Sequence, residues 1–268
     1  MIKKFFFVAF SLICIICAGC IQAKSDLIIT EEGAVVHYSK FIGNAFIIRQ
    51  IEDWKDKTEK LNPNVKANAI IEGDLRGYEF KQDYPDIETF AKSSNDLYKA
   101  TVGKNRGVSR HTSWFFDEYD FDFYWANPSM NLSPETEFMT QAAFNGVEFD
   151  LSIQLPYRAE KHNADKVEDD GKFLKWNLAP VLIHGGEKFI QARFKIWHKD
   201  KIALTAIIEL LLLAATTFFF RKARTEDFET VGKDFRFKRN VFAGLFITLA
   251  IISAYMILAP VTFAFDFS

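Results

Sequence analysis

The sequence predicts an α+β fold, an antiparallel sheet with two packed helices, followed by two transmembrane helices. Strict apolar/polar alternation in several segments predicts the sheet, apolar residues at helical spacing predict the packed helices, and two long apolar runs near the C-terminus predict the spans.

The chain opens with Lys3 and Lys4, then an apolar stretch from Phe5 to Ile16, the layout of a secretory signal peptide and too short for a comfortable membrane span. Cys14, Cys17 and Cys20 are its only cysteines, and their C-x2-C-x2-C spacing resembles part of an iron–sulfur site. Such a site needs a fourth thiolate and polar loop surroundings, and neither is present in this apolar context. Cys17-Ala18-Gly19-Cys20 instead resembles a lipobox, which makes Cys20 the expected lipid-attachment residue and residues 1–20 a lipoprotein-type signal peptide. An uncleaved anchor, or ordinary cleavage after Ile21-Gln22-Ala23, is the alternative.

Residues 24–200 form the predicted extracytoplasmic domain, long enough for one core. "DLIIT" and "AVVHYSKF" read as opening strands joined through Glu31-Glu32-Gly33. In "NAFIIRQIEDWKDKTEKL", Ile47, Ile51, Trp54 and Leu61 share a helical face, and Asn62-Pro63 ends it. "PDIETFAKSSNDLY" predicts a second helix with Asp86 as N-cap and Ile87, Phe90, Ala91 and Leu97 inward. Further strands are expected at 65–72, 76–82, 109–116 and 172–177. The clearest alternation lies in "EYDFDFYW", "VEFDLSIQL" and "KFIQARFKIW". One polar face per strand points to antiparallel pairing, because strands buried on both faces read as continuous apolar runs.

Residues 202–220 and 241–265 are each long and apolar enough to span a bilayer as a helix. The intervening 221–240 carries Arg221, Lys222, Arg224, Lys233, Arg236, Lys238 and Arg239, which marks it as a cytoplasmic loop. That topology puts the main domain outside the cytoplasmic membrane, in agreement with the leader. Glu209 interrupts the first span, where an ionised carboxylate costs about 3 kcal/mol on insertion scales. It is the intramembrane candidate, to be weighed against a tolerated acid in a Leu-rich helix. Pro260 is expected to bend or end the second span.

No catalytic signature is found. Asp117, Glu118, Asp120 and Asp122 lack the loop ligands calcium requires. His37, His111, His162, His184 and His198 lack zinc spacing, so no metal and no cofactor are expected. Paired carboxylates are not excluded, since they need only spatial proximity, and an envelope hydrolase is the weakest of the readings. The rings of Phe115, Phe116, Tyr119, Phe121, Phe123, Tyr124 and Trp125 suit either a groove for an acyl chain or, as the plainer alternative, a Phe-rich core. Lys99, Lys104, Arg106 and Arg110 are candidates for lipid phosphates, or simply a solvated loop.

The leader, the opening hairpin and helix, and the run "LPYRAEKHNADKVEDDGKFLKWNL", with Asn163-Ala164, Asp170-Gly171 and Trp176-x-Leu178 in order, resemble the LppM-type bacterial lipoproteins. The resemblance implies a lipoprotein of the cell envelope without known catalytic residues, associated with lipids or other amphiphiles. The second C-terminal span and Cys17 depart from the usual form. The expectation is therefore a membrane-anchored, non-enzymatic lipoprotein that binds lipid or another envelope amphiphile. The alternative is a structural or accessory subunit of a membrane complex with a protein partner; nucleic acid is not an expected partner.

Overall fold

The computed structural model describes residues 21–43, 52, 55, 65–93, 107–127, 147–225, 229–258 and 263–266. Cys14, Cys17, Cys20 and Pro260 lie outside them, as does most of the first predicted helix, of which Glu52 and Lys55 are helical. The described residues divide into two compact units, one holding those up to Ser109 with Tyr119–Ile196 and Asp266, the other those within Arg110–Glu118 and Trp197–Phe265.

The first unit begins with β1 (Ile21–Ile29) and β2 (Val35–Gly43). Their turn closes where Thr30 N–H donates to the Ala34 carbonyl at 2.9 Å, and Gly33 adopts the φ of 85° that the turn requires. β3 (Lys66–Glu72) and β4 (Leu75–Tyr84) follow. At Gly77, opposite Ile42 of β2, an added Cβ would stand 1.8 Å from the Phe41 carbonyl oxygen. The β2–β4 pairing therefore depends on glycine there. Helix α1, described over 87–93, starts at the predicted cap, where the Thr89 N–H donates to the Asp86 carboxylate at 2.6 Å. It buries Ile87, Phe90 and Ala91 on one face.

The remaining elements are β5 (Gly107–Thr112), β6 (Phe116–Asn127), β7 (Glu148–Gln154), the short β8 (Lys161–His162) and β9 (Lys166–Glu168), and β10 (Phe173–Asn177). A short helix α2 (Ala179–His184) then leads to β11 (Gly186–Trp197). The sequence predicts one antiparallel sheet, whereas the strands form two, ordered β3-β4-β2-β1-β7-β10-β9 and β12-β5-β6-β11-β8, with β12 at Phe263–Asp266. The inward residues of both meet in one core, in which Leu27, Ile153 and Leu174 from the first sheet join Phe121 and Phe194 from the second. The β1–β7 pair is parallel, with Leu27 beside Ile153. Alternation reports which face of a strand is buried and is silent on the direction of its neighbour.

Asn163 links the two sheets by polar contacts. Its Oδ1 accepts from Trp176 Nε1 on β10 and from the Gln191 N–H on β11, each at 2.8 Å. Its Nδ2 donates to the Phe189 carbonyl at 2.9 Å. Asn163 and Trp176 thus form one structural hub.

In the second unit, α3 (Lys199–Thr225) and α4 (Glu229–Leu258) are both long and apolar enough to cross a membrane. They extend through most of the basic segment read from sequence as a connector. Its Lys, Arg, Glu and Ala residues are good helix formers, and the i,i+4 pair Asp234–Lys238, at 2.7 Å, adds local support.

Candidate membrane interface

The outward faces of α3 and α4 are apolar and exposed, with Leu210 and Leu211 each 65% accessible and Ile251 63%. In water such a surface would be strongly unfavourable. The less exposed positions of α3, among them Thr205, Glu209, Leu212, Thr216 and Phe219, recur at steps of three and four and form one stripe. The stripe faces α4, since the Phe219 ring stacks on Phe242 with centroids 5.3 Å apart and an interplanar angle of 11°.

Glu209 lies ten residues before Phe219 on this stripe, so the antiparallel partner at its level is ten residues beyond Phe242, next to Ser253. Its Oε1 is shielded and has no hydrogen-bond partner among the described residues. The acid therefore points along the helix pair rather than outward like Leu210 or Leu211.

At the head of α3 a second cluster forms around Asp117. Its Oδ2 accepts from Arg110 Nη2 at 2.7 Å and lies 3.1 Å from His198 Nε2. The His198 backbone N–H donates to the Phe115 carbonyl at 2.8 Å, tying the turn before β6 to the residue that opens the helix. His198 Nδ1 sits 3.1 Å from the Trp114 carbonyl and 3.2 Å from Lys201 Nζ. A protonated Nδ1 donates to the carbonyl, and an unprotonated one accepts from the ammonium, so both ring states find a partner. Ser113 braces the turn: its N–H donates to the Phe116 carbonyl at 2.8 Å, and its Oγ accepts from the Phe116 N–H at 3.2 Å.

Other residues singled out in the sequence are distributed differently. Of the acidic row on β6, Asp120 makes a bidentate bond to Arg193, with both distances 2.7 Å, and Asp122 accepts from Gln191 Nε2 at 3.1 Å. These are cross-strand contacts with β11, consistent with a sheet face. Tyr119, Phe121 and Phe123 are buried in the core, while Phe116 and Tyr124 are buried on the opposite register. The rings thus form packing surface on both faces of β6. Lys99, Lys104 and Arg106 lie outside the described residues, and Arg110 is held by Asp117.

Sequence reading did not bring Trp114, His198 and Lys201 together. The available signal was the run Trp197-His198-Lys199-Asp200-Lys201 directly ahead of an apolar stretch, since aromatic and basic residues gather at bilayer boundaries.

The fold defines an α+β domain of two sheets sharing a core, joined to a helix pair of membrane-spanning length. No family model matches the chain, and no curated protein matches it. Among solved structures, the NMR structure of the folded domain of the Mycobacterium tuberculosis LppM protein is similar, with a TM-score of 0.41 and 10% identity over 69% of this chain and 94% of that chain. This is a distant likeness of fold.

Proposed function

We propose that this chain is a membrane-anchored envelope lipoprotein whose α+β domain, on the extracytoplasmic side, binds lipid or another amphiphile without catalysing a reaction. The observation that carries the membrane anchoring is the exposed apolar surface of the paired helices, Leu210, Leu211 and Ile251 among its open positions. That surface needs hydrocarbon around it. The basic residues between the spans favour the cytoplasmic side for the helical turn, which leaves the domain outside.

The limits of β1 bear on Cys20. Cleavage after Ala23 would remove Ile21, Gln22 and Ala23, which pair with Gly43, Ile42 and Phe41 of β2. Cleavage before Cys20 leaves β1 whole, with the acylated residue directly ahead of it.

The test uses the full chain made in a bacterial host and extracted in mild detergent. Intact mass is expected to show a chain beginning at Cys20 with acyl groups attached, and a Cys20→Ala variant is expected to lose that mass. Native mass spectrometry is expected to show a retained lipid in both. An unmodified N-terminus at Lys24 would remove the lipoprotein assignment, and a lipid-free native chain would remove amphiphile binding.

The accessory-subunit alternative rests on Glu209, whose Oε1, without a hydrogen-bond partner among the described residues, would accept from a donor on another helix. A protein that co-purifies with the full chain and is lost from a Glu209→Leu variant would favour it.

A further inference from the structure

We propose that the turn at residues 113–116 is an interfacial anchor, with the Trp114 indole lying at the headgroup–acyl boundary of the bilayer beside the first turns of α3. This deepens the function proposed above and rests on α3 spanning the membrane. The occupant of the Trp114 surface is phospholipid.

Three observations converge on it. Phe115 and Phe116 are 3% and 0% exposed, whereas Trp114, between Ser113 and these buried rings, is 45% exposed. A large outward indole on a braced turn has chosen the surface although apolar packing lies next to it. The second observation fixes its height. Trp114 Nε1 donates to Thr205 Oγ1 at 3.3 Å, and Thr205 lies three residues inside the apolar run that starts at Ile202. At 1.5 Å per residue this puts the indole N–H about 5 Å below the start of the apolar run, within the zone where tryptophan collects.

The third observation is charge. Lys201 Nζ stands 5.4 Å from the centre of the Trp114 ring, and Lys201 precedes the apolar run by one residue. Its ammonium is thereby held at the level of lipid phosphate, while the stem lies against apolar surface. The exposed side chains of Ile202 and Leu204 continue the apolar surface downward from the same edge. The Asp117 contacts to Arg110 and His198 hold the turn to the helix head, so the indole is kept at this depth by both ends of the turn.

The test reconstitutes the full chain into vesicles of phosphatidylcholine and phosphatidylglycerol, with and without bromine on the acyl chains. Subtracting the fluorescence of Trp114→Phe from that of the native chain isolates Trp114 from the other four tryptophans. Trp114→Tyr, which keeps a polar tip, is a second subtraction in case the phenylalanine variant is not recovered. The expected result is loss of most of the Trp114 emission in brominated vesicles and little loss to iodide in the water. Quenching by iodide alone would show a water-exposed turn. Quenching by neither would show a turn covered by protein, and each of these two results overturns the anchor. An alkaline carbonate wash separates the two levels of the proposal. If the chain stays with the vesicles and Trp114 is unquenched, the anchor alone fails; if the chain washes off, the spanning helices fail and the anchor with them.

Discussion

Trp176→Ala is expected to cost the domain about 4 kcal/mol, the largest loss from any single side chain considered. The indole is fully buried, at 0% exposure, on β10, where Trp176 pairs with Leu151 of β7. Its ring fills the space between the sheets, and truncation leaves a cavity that rigid strands on either side close only in part. The polar share of the loss is smaller. Without the indole, Asn163 Oδ1 still accepts from the Gln191 N–H, so no buried acceptor is stranded. Removing the acceptor instead carries the larger polar share, because Asn163→Leu leaves the Trp176 N–H buried without it, at about 1–3 kcal/mol. Trp176→Phe keeps most of the volume and is expected to fall between the native chain and Trp176→Ala. Urea unfolding of the full chain in detergent, followed by hydrogen exchange at the β7 and β10 amides, measures this order. A Trp176→Ala chain within 1 kcal/mol of native would mean that the ring does not support the core.

How far these features were legible in the sequence depends on whether the signal was local. β6, β7 and β11 were readable because each lays one face on the core, so that Phe121, Ile153 and Phe194 recur at every second position beside polar neighbours. The α1 start was readable because a cap is set within four residues, as the Asp86–Thr89 bond shows. Long-range partners were not readable. The parallel pairing of β1 with β7 joins Asp26 to Ser152, 126 residues apart, through a side-chain hydrogen bond, and no local pattern encodes it. Asp117 illustrates the same limit at the candidate site. In sequence it is the first acid of a row that looks solvated, yet it is 7% exposed and shares contacts with Arg110 and with His198, 81 residues away. The apolar runs identified the spans, and Glu209 stood out as the acid within them. Its place on the stripe that faces α4 became clear only once the Phe219–Phe242 contact had fixed the helix faces.

Acidification from pH 7 to pH 4 is expected to destabilise the domain by about 3 kcal/mol through His37 alone. Burial costs the imidazolium its hydration and lowers the pKa from 6.5 to about 4, against a smaller opposing pull from Asp26. The Ser25 and Ser39 hydroxyls lie 2.9 and 3.0 Å from Nε2, and the Phe90 ring meets the imidazole edge-on at 6.2 Å. Each hydroxyl rotates to donate to a neutral ring or accept from a charged one, so hydrogen bonding leaves the protonation state open and burial decides it. Although Ser25 and His37 sit at the distance of a nucleophile and its base, a base titrating near pH 4 has little proton affinity to activate a hydroxyl at neutral pH. The sign of the pH effect follows from proton uptake. Between about pH 6.5 and 4 the unfolded chain binds a proton at His37 and the native chain does not, so stability is complete above 6.5 and falls as the pH drops through that window. Asp86 acts in a lower window. Its pKa is held below the usual carboxylate value by the Thr89 N–H, so its contribution is full at neutral pH and is lost as the pH falls from the ordinary carboxylate value down through the lowered one. His37→Gln keeps a polar side chain beside the two serines and removes the titration. Urea midpoints of the native chain and of this variant are expected to converge as the pH falls from 7 to 4, the native curve losing about 3 kcal/mol that the variant does not. Parallel curves would show that His37 protonates equally in the folded and unfolded chains, which the enclosure under Phe90 argues against.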